Sequence, residues 1–333
     1  MAAKLVEAGD GFLTTWALYV AATLGVVDLI AAGQSNADEL ARATSSDEDA
    51  LYRTLPYLET IGVVREGPPR SFEPTEQGEY LRSDVPGSVR AWLTVNGLVA
   101  RAFFDDPLAS IKTGGPAFEG VFGTDFFGFA RANPGWGRTF DESMTQATGE
   151  TAKAVLAAYG FEGVTRIVDV GVGRGILLAT FLTEHSEATG VLFDQPHVVA
   201  DAWETLSAAG VAERCEVVTG DFFESVPEGG DVYVLSWIVH DWGDQRARSI
   251  LTNCRRAMRD DARLLLVEAV LPASGTSGYD FATSLDLVML VALGGRERTE
   301  AEYARLLVNA GFTLTKIVPT ASPMSVLEAI PAV

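Results

Sequence analysis

The sequence is poor in the residues that build several common kinds of site. Among 333 residues there are two cysteines, three histidines, and 25 Lys and Arg set against 45 Asp and Glu. Two cysteines cannot make a disulfide framework, so a reducing cytoplasm is the simplest compartment. A formal net charge of −20 leaves no basic face for phosphates, which argues against non-specific binding to nucleic acid or to an acidic membrane. No H-x-x-H, C-x-x-C or clustered carboxylate spacing is present, so no metal site is expected. Long hydrophobic runs are scarce too. The longest uncharged stretch, Gly11 to Val27, follows Lys4, Glu7 and Asp10, where a signal peptide has a clean positive region. It is near the short limit for a membrane span, is interrupted by Thr14, Thr15, Thr23 and Gly25, and is closed by Asp28. It reads as a helix apolar on all sides, buried in a core or a subunit interface.

What is present suggests two domains, since 47% apolar content over this length is enough for two cores. Residues 1–90 read as helices followed by a hairpin. Asn36 is a candidate N-cap for one short helix and Ser46 for the next, where Leu51, Leu55, Leu58 and Ile61 recur at helical spacing. Val63-Val64-Arg65 and Ser71-Phe72-Glu73 flank the turn Gly67-Pro68-Pro69. This is a winged-helix pattern, but its second helix begins Asp47-Glu48-Asp49, which repels phosphates. A dimerisation role is expected rather than DNA binding. Residues 91–155 are helical and aromatic, a linker expected to line the substrate pocket. From 156 to 333 strands and helices alternate, with strands expected at Arg166–Val170, Ala188–Phe193, Cys215–Thr219, Asp231–Ser236 and Arg263–Val270. That is an α/β domain with a doubly wound parallel sheet.

Three features fall at the carboxyl ends of consecutive strands, where such sheets bind ligands. Val168-Asp169-Val170 runs into Gly171-Val172-Gly173-Arg174-Gly175, a tight turn before a helix. A dinucleotide fingerprint needs glycine where Ile176 stands, and a phosphate-binding loop needs Lys-Ser/Thr. The loop suits a nucleoside cofactor without pyrophosphate, S-adenosylmethionine. Asp194 ends the second strand and is placed to accept both ribose hydroxyls. Gly220-Asp221-Phe222 ends the third, with Asp221 an acceptor for an adenine amino group and Phe222 a stacking surface. His240 follows the fourth strand, Glu268 ends the fifth, and Glu297 lies in Gly294-Gly295-Arg296-Glu297-Arg298-Thr299. A histidine held by a carboxylate has a fixed tautomer and a basic free nitrogen, suited to taking a proton from a phenol.

With these motifs the chain resembles the cation-independent small-molecule O-methyltransferases, which include plant caffeic acid and flavonoid enzymes and bacterial polyketide and antibiotic tailoring enzymes. The resemblance rests on Val168 to Gly175, Phe193-Asp194-Gln195-Pro196, Gly220-Asp221-Phe222-Phe223, His240-Asp241-Trp242, Glu268 with Leu271-Pro272, and Gly294 to Thr299. It implies an obligate homodimer through an N-terminal all-helical winged-helix domain and a Rossmann-like, class I methyltransferase domain holding S-adenosylmethionine. It implies His240 as general base flanked by Glu268 and Glu297. Cofactor contacts are implied for Asp169, Gly171, Gly173, Asp194, Gln195, Gly220, Asp221, Phe222, Phe223, Ser236 and Trp242. A small aromatic or polyketide-like acceptor is implied against Phe126, Trp136, Phe140, Met144, Trp237, Asp286 and Met289. Two positions depart from the family: Val172 replaces a usual glycine, and Ser236 replaces the lysine of plant members, which points to the bacterial branch. Relatives that hydroxylate or decarboxylate remain an alternative, as does a non-catalytic winged-helix regulator.

Overall fold

The computed structural model describes residues 2–171, 173–273 and 279–332. Val172, expected to alter the glycine loop, lies outside them. The chain forms two compact units, Met1–Asp105 with Phe127–Gln146, and Asp106–Phe126 with Ala147–Val333. The stretch expected as a separate linker, 91–155, is divided between the two.

In the first unit Asn36 caps helix Ala37–Thr44 as expected, its Oδ1 accepting the Asp38 N–H at 3.0 Å. The next helix, Glu48–Thr60, is capped by Asp47, which accepts the Ala50 N–H at 2.9 Å. The expected cap, Ser46, instead accepts the Thr44 hydroxyl at 2.8 Å. A carboxylate also complements the positive end of the helix dipole, which a hydroxyl cannot do. Val64–Glu66 and Phe72–Pro74 pair antiparallel, so the winged-helix pattern is realised. The uncharged stretch does not form one helix. Gly25 adopts φ 65° and divides it into Gly11–Leu24 and Val26–Ala31. Ala17, Ala21 and Ala22 pack inward, while Phe12, Leu13 and Trp16 face outward. Gly97 lets helix Arg90–Phe104 approach Gly11–Leu24, for a Cβ there would fall 2.1 Å from the Tyr19 ring.

The second unit is built on a seven-stranded sheet. Its strands are β1 (Arg166–Val170), β2 (Thr189–Asp194), β3 (Cys215–Thr219), β4 (Val232–Ser236), β5 (Arg263–Glu268), β6 (Phe312–Pro319) and β7 (Ser325–Pro331). The spatial order is β6-β7-β5-β4-β1-β2-β3. The first five strands are parallel, as expected. The sheet as a whole is mixed, because β7 pairs antiparallel with both β5 and β6. The core strands are continuous apolar runs, as burial on both faces requires. Val168, Leu235 and Leu266 pack with Ile250 and Leu251 of helix Asp244–Ala257 and with Leu306 and Leu307 of helix Glu300–Val308. β5 stops two residues short of the expected Val270. Val270–Leu271 pairs instead with Arg298–Thr299, which draws the segment carrying Glu297 to the end of β5.

Candidate active site

The chain leaves β1 for β2 on one side and, after β3, resumes at β4 on the other. A crevice for ligands is expected at this switch point. Gly171, Gly173 and Gly175 all take φ between 57° and 78°, a region open to glycine at little cost. Gly171 is also packed tightly, since a Cβ there would lie 2.5 Å from Ile238. Gly173 has nothing within 4 Å of that position, so open space lies beside the loop. Asp194 at the end of β2 accepts the Gly173 N–H at 3.1 Å and the Gln195 N–H at 2.7 Å. It therefore shapes the loop. Burial raises its carboxyl pKa, against these N–H donors. Asp169 is buried, and its carboxyl is pushed well above the ordinary range by burial and then by the charge of Asp194. Its Oδ2 and the Ser236 hydroxyl have no hydrogen-bond partner among the described residues.

Asp221 accepts the Phe223 N–H at 2.8 Å and so fixes the turn after β3. Phe222, Phe223 and Trp242 meet edge to face, Phe223 and Trp242 with ring centroids 4.9 Å apart. Asn253, which sequence reasoning missed, donates to the carbonyls of Phe222 and Phe223 at 2.9 Å each. Arg246 lies over both the Phe223 and Trp242 rings. Gln195 is exposed, and its backbone N–H rather than its side chain is engaged.

His240 is buried in a short turn after β4. Its Nδ1 lies 2.6 Å from Glu297 Oε1 and 3.8 Å from Glu268 Oε2, and its Nε2 lies 3.4 Å from Asp241 Oδ1. Burial opposes a charge on the ring, but the carboxylates of Glu268, Glu297 and Asp241 together outweigh it and raise the pKa to about 10. Burial raises Glu268 to about 7 and Asp241 to about 6, against the attraction of His240. The two expected glutamates have different tasks. Glu297 holds the imidazole directly. Glu268 Oε1 accepts the backbone N–H groups of Ile238 and Val239 at 3.1 and 2.7 Å, and so holds the turn that carries His240. Asp241 was visible in the motif but was not singled out; its proximity to Nε2 depends on the turn geometry.

Several further groups lock this arrangement. Gly295 packs against the turn, where a Cβ would fall 2.1 Å from the His240 carbonyl oxygen. Arg296 N–H donates to that carbonyl at 2.8 Å. The buried Arg298 guanidinium donates to Asp244 and to the Val239, Trp242 and Arg296 carbonyls, joining the two segments. Trp237 has φ 60°, costly for a bulky side chain at about 1–3 kcal/mol, and its ring meets His240 edge to face at 5.7 Å.

Of the expected acceptor-lining residues, Trp237, Met289, Asp286 and Phe126 belong to this unit. Met289 and Phe126 are buried, the latter 5.3 Å from Phe118. The Asp286 carboxylate accepts the Glu297 N–H at 2.8 Å, so the structure places it against the segment that holds His240. Trp136, Phe140 and Met144 belong to the first unit, where Trp136 and Phe140 stack at 5.8 Å.

Comparison with known proteins decides the family. Residues 104–313 match the O-methyltransferase domain, and residues 6–84 match the O-methyltransferase dimerisation domain. The chain belongs to the O-methyltransferase family. It is 43% identical to the phenazine O-methyltransferase of Lysobacter antibioticus over 98% of this chain and 95% of that one. The crystal structure of LaPhzM superposes with a TM-score of 0.93 at 43% identity, covering 99% of each chain. An O-methyltransferase of neocarzinostatin biosynthesis, solved with S-adenosylmethionine and 2-hydroxy-5-methyl naphthoic acid, superposes at 0.84 with 34% identity over 96% of each chain. The protein is thus an S-adenosylmethionine-dependent O-methyltransferase with a dimerisation domain.

The residues present fit that cofactor. The strand ends offer the buried carboxylate of Asp169 and the half-buried one of Asp194, and among the described residues one Asp169 oxygen and the Ser236 hydroxyl have no hydrogen-bond partner. These acceptors complement a cationic ligand with amino and hydroxyl donors and would repel a pyrophosphate. Among the described residues, no helix is long and apolar enough to cross a membrane.

Proposed function

We propose that the enzyme methylates a phenolic or enolic hydroxyl of a small aromatic or polyketide-type secondary metabolite, with His240 as general base. The observation that carries this reading is the 2.6 Å contact between His240 Nδ1 and Glu297, which leaves Nε2 as the nitrogen to accept a proton. The relatives named for phenazine and naphthoate chemistry act on small fused aromatics, and the same class of acceptor is expected here, held against Trp237, whose ring meets His240, and against Met289. S-adenosylmethionine, when bound, supplies an electrophilic methyl group. Asp194 and Asp221 would hold its ribose and adenine, Asp169 and Ser236 would meet its remaining polar groups, and the Phe222 ring would stack on the base.

The carboxylates around His240 raise its basicity to about that of a phenoxide, whose conjugate acid has a pKa of about 10, so proton transfer from the acceptor is nearly balanced. Glu297 and Glu268 stabilise the imidazolium so formed. Trp237 and Met289 exclude water from the hydroxyl while it is held for reaction, and such positioning supplies a large part of the rate. We place the enzyme in the cytoplasm, in keeping with its free cysteines, Cys215 and Cys254.

The experiment is to incubate purified protein with labelled S-adenosylmethionine and a panel of phenols, with mass analysis of the products. Gain of CH₂ supports the reading; gain of oxygen or loss of CO₂ would replace it with hydroxylation or decarboxylation. Asp194→Ala should weaken cofactor binding by about tenfold or more in calorimetry, since it removes charge-assisted hydrogen bonds. An unchanged dissociation constant would reject its ribose role.

A further inference from the structure

Asp286 lies in helix Phe281–Val288, eleven positions before Glu297 in sequence and in contact with it in space. Between them the chain passes through a π-helical turn, Met289–Leu293, and reverses at Gly294 with φ 72°. The Gly295 N–H then returns to the Met289 carbonyl at 3.2 Å, which fixes the loop against its own helix. Two successive backbone N–H groups are engaged next. Arg296 donates to the His240 carbonyl, and Glu297 donates to Asp286 Oδ1, both at 2.8 Å.

We infer that Asp286 is a positioning residue for the methyl transfer: by fixing the Glu297 backbone it sets the carboxylate that holds His240. The inference rests on the proposed base role of His240. A peptide N–H pinned at 2.8 Å fixes the direction of the Glu297 Cα–Cβ bond, and the short Oε1–Nδ1 contact tolerates little displacement from it. A slip of about 1 Å would break that contact, and misplacement of this size can cost about 10²-fold in rate. The influence of Asp286 is that of a hydrogen-bond acceptor. The charges acting on His240 are those of Glu268, Glu297 and Asp241. An amide oxygen can therefore do the same work.

The test compares Asp286→Ala, Asp286→Asn and Glu297→Gln, alone and combined, in the full-length enzyme with a phenol it methylates. Asp286→Ala should lower kcat by about 10–100-fold, leave both KM values within about twofold, and move the rising limb of the pH–rate profile to lower pH. Asp286→Asn should recover most of the loss, which shows that a folded chain with an acceptor at this position suffices. In the Glu297→Gln background, Asp286→Ala should add little, because its effect runs through Glu297. A raised acceptor KM with kcat and the pH limb unmoved would overturn the inference in favour of direct acceptor contact. So would full additivity with Glu297→Gln. Failure of the underlying base reading is seen separately, as turnover that survives His240→Ala.

Discussion

At the scale of single residues, the proposed chemistry depends on how burial and charge are set against each other at His240. Burial alone would make the ring a poor base; three carboxylates within 4 Å reverse this and raise its pKa to about 10. A general base must be neutral to act, so on the proposed role of His240 kcat/KM should rise with pH through a limb lying above the ordinary histidine value of about 6.5. Glu297→Gln removes one of the carboxylates that raise it, and the limb should move to lower pH by about one unit or more. A pH–rate profile checks this, and a limb that stays in place would show that Glu297 does not set the basicity. His240, Glu268 and Glu297 were all legible in the sequence as polar residues at strand ends or in a glycine-rich loop. The division of labour between the two glutamates was not. It depends on which oxygen meets a backbone N–H, and that follows from the turn geometry. Arg298 and Asn253 were missed for a similar reason, since a buried side chain that serves backbone carbonyls leaves no pattern in sequence.

At the scale of elements, the site is made by two segments that pack backbone to backbone. The turn 237–244 and the loop 294–299 meet at Gly295 and the His240 carbonyl, and the short pairing of Val270–Leu271 with Arg298–Thr299 keeps them together. Gly295→Ala should therefore push the segments apart. We expect it to cost about 1–3 kcal/mol in stability, as overpacking does, and about 10²-fold in turnover through displacement of the base. Thermal unfolding and a single-substrate assay check both; a fully active, equally stable variant would mean the contact can relax freely. The inner parallel strands were readable because burial on both faces makes them largely apolar runs between turn residues, and the half-exposed edge strand β3 followed from its place in the alternation of strands and helices. β6 and β7 were not read, although Phe312-Thr313-Leu314-Thr315 alternates in the manner of a strand. The break at Gly25 was not read because no charge or proline marks it along Gly11–Val27, and only the left-handed φ of one residue divides the stretch.

At the scale of the molecule, a strongly acidic chain carries an apolar face on its dimerisation domain. Leu5, Val6, Phe12, Leu13 and Trp16 are exposed along the two N-terminal helices, and Phe12 meets Phe104 edge to face at 6.3 Å. A face of this kind is expected to be covered by a second copy. Because large aromatics dominate such contacts, Trp16→Asp should shift the protein from dimer to monomer in light scattering after gel filtration. A dimer of unchanged stability would place the interface elsewhere. The reaction itself is best tested through His240. His240→Gln should lower kcat/KM for a methylated phenol by about 10²–10⁴-fold while S-adenosylmethionine binds with a dissociation constant within about twofold of the wild type by calorimetry. A variant that binds the cofactor normally and still transfers the methyl group at close to the wild-type rate would contradict the account.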